Sequence, residues 1–246
     1  MVPTRAVVAE LAPTGKLRAA INFDNAILAS KDPVTSAPGG VSVDLSRELA
    51  RRLGVPVEFV PYYAAGKVVE GLKSGAWDVC YLAIDPVRAR DISFTPPYVV
   101  IEGVYLVPED SPLRANEDVD RPNVRIAVCT GSAYDLFLSR ELKRATIHRA
   151  PTAAAATELF IAQKLDAVAG VRPHLEADAR RISGVRLLPG RFMSINQAMG
   201  TPRGRAEATA YLHDFIEEMK SSGFIAEAFV RNRIEGASIA PLAEAQ

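Results

Sequence analysis

Apolar positions in this chain follow two rhythms in alternation. KLRAAIN (16–22), VPVEFVPY (55–62) and WDVCYLAI (77–84) are short, mainly apolar runs of strand length. Between them the apolar residues recur every three or four positions. In VSVDLSRELARRLG (41–54) that spacing sets Val41, Leu45, Leu49 and Leu53 on one face of a helix, and Gly54 is suited to end it. VVEGLKSG (68–75) predicts a shorter helix closed by Gly75. Strand, helix, strand, helix, strand in this order implies a parallel sheet covered on both faces.

The second half repeats the plan. EGVYLVPE (102–109) predicts a strand that leaves the first unit, and NVRIAVCT (123–130) a buried strand. GSAYDLFLSRELKR (131–144) predicts a helix, TIHRAP (146–151) a strand, TAAAATELFIAQKL (152–165) a helix and DAVAGV (166–171) a strand. A further helix begins at Pro173, a residue well placed in a first turn. RFMSINQAMGTPRG (191–204) predicts a returning strand, RAEATAYLHDFIEEMKSSG (205–223) an amphipathic helix, and FIAEAFVRNRI a short last one. The halves share this rhythm and no sequence similarity. The expected fold is therefore α/β with two lobes, each a mostly parallel sheet flanked by helices. Lobe 1 would hold residues 1–103 and 194–246 and lobe 2 residues 104–193, joined by hinge strands at about 102–108 and 188–195 with a cleft between.

Composition narrows the function. The 246 residues are 48% hydrophobic and 24% charged, and Lys plus Arg balances Asp plus Glu at 29 each, so no nucleic-acid partner is expected. Cys80 and Cys129 make no disulfide framework, and His148, His174 and His213 are scattered, so neither a metal nor another cofactor is expected. No run of 18 apolar residues predicts a membrane span, and the first residues carry no leader pattern. The protein is expected in the periplasm if a leader was removed or lies upstream, and otherwise in the cytoplasm.

The stretch DPVRARDISFTPPY (85–98) has the most unusual local composition. It predicts an interruption that neither continues the preceding strand nor makes a long helix. Pro86, Arg90 and Asp91 favour a turn and one short helix, which would hold Arg88 at the carboxyl edge of WDVCYLAI, where open parallel sheets bind ligands. A guanidinium offers a planar fork of donors that fits a carboxylate. VCTGSAYD supplies a second candidate: a buried strand running through Thr130, Gly131 and Ser132 into a helix leaves amides pointing off the helix N-terminus, where an anion is favoured. A simple N-cap without a ligand is the competing reading of that turn.

These segments, with GGVSVDLSRELARRLGVPVEFV, LKSGAWDVCYLAI, KLDAVAG and MGTPRG, resemble the polar-amino-acid class of bacterial ABC-transporter solute-binding proteins, family 3. The equivalent wording there is roughly GFDVDLA, LxSGxxD, TPERxxxVDFSxPYY, VAVxxGST, GxxDAV and PKG. The resemblance runs from about residue 15 to about residue 235. It implies the type II periplasmic-binding-protein fold, a monomer that binds a small carboxylate-bearing solute without catalysis, and an ABC permease as partner. It also implies that Arg88 grips the ligand carboxylate, that the Gly131–Ser132 turn contacts the same group, and that Phe94 and Tyr98 pack on lobe 1.

Two departures shape the expected ligand. Where many amino-acid binders carry an Asp for the ligand ammonium, this chain has Val171, with Arg172 beside it. A buried ammonium without a counter-charge is costly, which argues against an ordinary α-amino acid unless Asp85, Asn22 or Asp24 serves instead. Ala83 stands where a ligand-binding Thr often occurs, and the stacking aromatic falls near Ala65, with Tyr62 and Tyr63 as substitutes. The candidate ligand-contact set is thus Arg88, Ala83, Gly131, Ser132, Thr130, Asn22, Asp85, Tyr81, Arg172 and Val171, with Arg172 a second anchor for an organic acid whose far end is neutral or acidic. Two alternatives stay open: a cyclohexadienyl-dehydratase-like enzyme, with Asp85 or Asp24 as the nearby acids, and a leaderless cytoplasmic metabolite sensor.

Overall fold

The computed structural model describes residues 2–243. Chain contacts divide it into two compact units, one holding the chain up to Val100 and again from Asn196, the other Ile101–Ile195. The boundaries expected from sequence, 103/104 and 193/194, stand a few residues from these.

The first unit opens with a helix that the sequence reading did not find, α1 (Arg5–Leu11). Thr4 caps it by accepting from the Val7 amide, and Val7 and Leu11 bury its inner side. At seven residues it is too short to show a helical period. Strand β1 (Leu17–Asn22) follows, then a small hairpin of β2 (Ser30–Lys31) and β3 (Pro38–Gly39). Helix α2 (Val41–Leu53) buries Val41, Leu45, Leu49 and Leu53, each contributing roughly 1.5–3 kcal/mol relative to exposure. It ends on Gly54 in the left-handed region and begins after Gly40, whose φ of 112° and approach to the Leu28 carbonyl leave no room for a Cβ. Strand β4 (Val57–Tyr62), helix α3 (Ala65–Lys73) and strand β5 (Val79–Ala83) complete the front of the unit. β1 lies between β4 and β5, parallel to both. Ala20, Val68, Trp77, Cys80, Leu82 and Ile92 form a core cluster, with the Trp77 indole N–H donating to the Val68 carbonyl.

In the stretch 85–98 the interruption is confined to Asp85–Asp91, a turn and one short 3₁₀ helix, and from Ile92 the chain is strand. β6 runs unbroken from Ile92 to Pro108, through Pro96 and Pro97. Proline forces itself and the residue before it into extended backbone, and its missing N–H is tolerated where the ladder does not call on it. Here the Thr95 hydroxyl accepts from the Met199 amide, and the Tyr98 carbonyl accepts from the Ala240 amide. Tyr98 is buried and Phe94 packs against the core cluster.

β6 carries the chain into the second unit, made of β7 (Arg125–Cys129), α4 (Ala133–Glu141), β8 (Thr146–Ala150), α5 (Ala153–Ala162), β9 (Ala167–Val171), α6 (Arg172–Arg181) and β10 (Val185–Leu187). β7 is parallel to β8 and β9, while β9 and β10 pair antiparallel with β6. Val104, Leu106, Phe160, Leu165, Val168 and Leu175 form its core. β11 (Met193–Pro202) returns the chain to the first unit, where it pairs antiparallel with β5, and α7 (Ala206–Ser221), α8 (Phe224–Arg231) and β12 (Ala237–Ile239) finish it. Among the described residues, no helix is long and apolar enough to cross a membrane.

Each unit carries the same clip at the start of its parallel sheet. In the first, Arg18 on β1 donates to the carboxylate of Asp78, just before β5, through Nε (2.9 Å) and Nη2 (2.8 Å), and also to the Gly75 carbonyl. In the second, Arg125 on β7 donates through Nε to Asp166, just before β9 (3.2 Å), and to the Lys164 carbonyl. Both aspartates belong to the motifs SGAWD and KLDAV. Their work is to hold neighbouring strands in register.

Acid should loosen the first unit. Arg51 and Arg52 hold the Glu48 carboxyl down to about 2, and Arg52 does the same to Glu218 on α7. A folded pKa below the unfolded value of about 4.5 contributes stability that is complete above 4.5 and lost as pH falls toward 2. The melting temperature is expected to drop through that window, and Arg52→Met should flatten the drop. An unchanged pH profile in Arg52→Met would show that the pair is not its source.

Candidate functional site

The three parallel strands of the first unit end side by side, β1 at Asn22, β4 at Tyr62 and β5 at Ala83. The carboxyl edge of such a sheet is where open α/β folds bind ligands. After β5, Asp85 turns the chain: its Oδ1 accepts from the Val87 amide (2.8 Å) and its carbonyl from the Ala89 amide (2.9 Å). The short 3₁₀ turn Arg88–Arg90 follows. That reversal folds Arg88 back over the strand end, where Nη1 donates to the Ala83 carbonyl (2.9 Å). The Arg88 side chain is not a solvated surface group; it is 3% exposed. Burial pulls its pKa down to about 10, opposed chiefly by the nearby Asp85 charge, so the guanidinium stays charged at neutral pH.

Asn22 lies at the same edge, its Oδ1 accepting from the Asp24 amide (3.1 Å) as the chain leaves β1. Tyr81 is placed elsewhere: it is buried under α2, its hydroxyl bonded to that of Ser46 (2.8 Å) and its ring edge-on to Tyr98. Alternation along β5 sends its side chain into the core and away from the strand end. The two candidate aromatics also part. Tyr62 packs on α3, where its hydroxyl fills the space beside Gly71. Tyr63 stays at the edge with Phe23, ring centroids 5.9 Å apart, and Lys31 lies over both rings. The sequence reading missed Phe23 and Lys31; the available signal was that Phe23 directly follows the strand ending at Asn22.

In the second unit the helix mouth expected to receive a carboxylate receives one from the chain itself. The Gly131 amide donates to Asp135 Oδ2 (2.8 Å), and Ser132 Oγ accepts from the Asp135 amide (3.0 Å). Ser132 thus caps α4 while the Asp135 carboxylate reaches back to the amide before the cap, and Ser139 and Arg149 also bind that carboxylate. Thr130 gives its hydroxyl to the Ala150 carbonyl. Val171 caps α6 without a side-chain bond. Arg172, expected as a second anchor, is instead committed within its own unit: Nε donates to Glu102 (2.6 Å) and Nη2 to the Gly190 carbonyl (2.6 Å), and Glu102 also holds Arg191. Among the described residues no group of three or more His, Cys, Asp or Glu could hold a metal ion. Cys80 and Cys129 are buried and not joined in a disulfide, and burial pushes the Cys80 thiol up.

Residues 23–231 match the family model of bacterial extracellular solute-binding proteins, family 3. The chain belongs to that family. This solute-binding protein also superposes on a mutant of ArgBP from T. maritima, at 21% identity with a TM-score of 0.78, covering 93% of this chain and all of that one. It superposes as well on the ancestral amino acid-binding protein AncCDT-1, a precursor of cyclohexadienyl dehydratase, at 24% identity with a TM-score of 0.75, covering 91% and 97% of the two chains. These likenesses give the fold, that of type II periplasmic binding proteins. Over 101 residues, 40% of its length, the solute-binding protein is 30% identical to the membrane-bound lytic murein transglycosylase F of Idiomarina loihiensis, of which the match spans 22%.

Proposed function

We propose that this protein binds a small carboxylate-bearing solute, amino-acid-like or an organic acid, for ABC-type uptake and without catalysis. The observation that carries the reading is the buried, charged Arg88, held at the carboxyl edge of a parallel sheet by the Ala83 carbonyl and the Asp85 turn. A desolvated guanidinium fixed in place offers a carboxylate a preorganised fork of donors. The family supports the binding role, and the amino-acid-binding proteins among the fold neighbours support a ligand of that size. A thermal-shift screen of amino acids, 2-oxo acids and dicarboxylates tests it, since a ligand at 100 times its Kd raises stability by about 2.7 kcal/mol. At least one carboxylate should raise the melting temperature while its amide or alcohol counterpart does not. A panel in which no carboxylate shifts it would count against the proposal.

A dehydratase reading is favoured by one observation, the likeness to a dehydratase precursor. Against it, residue 171, where the resemblance to such enzymes would place an acid on the second unit, is Val, and a proton donor is what such a reaction needs. Incubation with prephenate or arogenate is expected to leave both unchanged; aromatic product would overturn the non-catalytic reading.

A further inference from the structure

The edge of the first unit's sheet carries a second fixed cation, and its surroundings say what kind of group it faces. Lys31 lies on the β2–β3 hairpin, with Nζ 4.8 Å from the Phe23 ring centroid and 4.9 Å from that of Tyr63, and it donates to the Tyr63 hydroxyl. The two rings stand together because β1 and β4 end in register at Asn22 and Tyr62, and the Phe23 amide donates to the Tyr62 carbonyl (2.9 Å). A pair of ring faces open at a sheet edge is a receptor for a cation. In this chain the protein's own ammonium holds that position.

The charges around it are also spoken for. Asp32, the next residue, turns its carboxylate onto its own loop, where it accepts from the amides of Val34 and Thr35 and from the Thr35 hydroxyl. Across the edge, beyond β1, Asp85 is the carboxylate beside Arg88, and Asp24 follows Phe23. A ligand with a cationic far end would have to expel Lys31 from the rings and then lie against the ammonium it displaced. A ligand with an anionic far end meets an ammonium already held in place.

We propose that Lys31 is the specificity-determining residue for the far end of the ligand, and that it selects dicarboxylates, one carboxylate taken by Arg88 and the second by Lys31. The inference rests on the reading of Arg88 given above and adds the ligand class. It is tested by calorimetric titration of the wild type, Lys31→Ala and Arg88→Ala with succinate, 2-oxoglutarate and adipate, each against the monocarboxylate of equal length (butyrate, 2-oxopentanoate, hexanoate), and with L-arginine. At least one dicarboxylate should bind the wild type about tenfold or more tightly than its monocarboxylate partner. In Lys31→Ala that preference should shrink to within about threefold while the monocarboxylate affinity holds. A preference absent from the wild type, a preference undiminished in Lys31→Ala, or tightest binding of L-arginine would each overturn the assignment. If a monocarboxylate binds and is lost in Arg88→Ala, such a result removes Lys31 alone. If no acid binds, both readings fall. Lys31 is exposed on a short hairpin, so Lys31→Ala is expected to melt with the wild type.

Discussion

Arg88→Ala is expected to abolish measurable solute binding while the chain still folds. Truncating one partner of a buried, hydrogen-bonded charge pair typically costs about 2–5 kcal/mol, or roughly 30- to 4,000-fold in Kd. Arg88 belongs at the upper part of that range because it is already desolvated and held by the Ala83 carbonyl, so a bound carboxylate does not have to order it. The fold should tolerate the change with a modest loss. The Ala83 carbonyl loses a donor, at a cost of about 1–3 kcal/mol, but the chain also sheds the cost of burying a cation. Arg88→Lys should recover only part of the affinity, because an ammonium keeps the charge and loses the planar fork. Calorimetry on the two variants, beside circular-dichroism melts, reads both effects. Binding by Arg88→Ala within about threefold of wild type would remove the residue from the site.

The largest expected loss of stability is at Asp78. Its carboxylate is fully buried, accepts three hydrogen bonds from Arg18 and also faces Nη1 of Arg205 (3.2 Å). Asp78→Ala leaves two arginines without their counter-charge. Removing one side of a buried ion pair costs about 3–5 kcal/mol, and the lower end applies because Arg18 and Arg205 are 19% and 23% exposed and can turn toward water. For a chain of this size, about 3 kcal/mol corresponds to a fall of roughly 6–12 °C in Tm. The matching clip in the second unit provides the control. Asp166 and Arg125 are 38% and 41% exposed, so Asp166→Ala should cost about 1 kcal/mol or less. Equal losses in the two variants would show that burial does not set the strength of the clip.

What the sequence made legible follows from where information is local. The helical period of Val41, Leu45, Leu49 and Leu53 and the apolar run ending at Ala83 announce their elements because burial acts on each residue separately. The turn that presents Arg88 was legible for the same reason: Asp85, Pro86 and the charged residues after them fix a local backbone path. Pro96 and Pro97 made the extended path legible, but not the partner across it: the Thr95 hydroxyl accepts from the Met199 amide, about a hundred positions away. At Gly131 and Ser132 the sequence held both readings. The spacing Ser132 to Asp135 is that of a capping box, and the chain uses its own carboxylate there. Arg172 shows the remaining limit, because its partner Glu102 is distant in sequence and belongs to no motif. Lys31, Phe23 and Tyr63 likewise meet only once two strands are in register.

The claim on which the account rests is that a ligand carboxylate lies on the Arg88 guanidinium. A crystal structure of the protein with whichever carboxylate stabilises it most in the thermal screen tests this directly. The account predicts both carboxylate oxygens within about 2.7–3.1 Å of Arg88 nitrogens at the end of β5. A ligand bound with its carboxylate on other residues, and Arg88 still engaged only by its own chain, would contradict it.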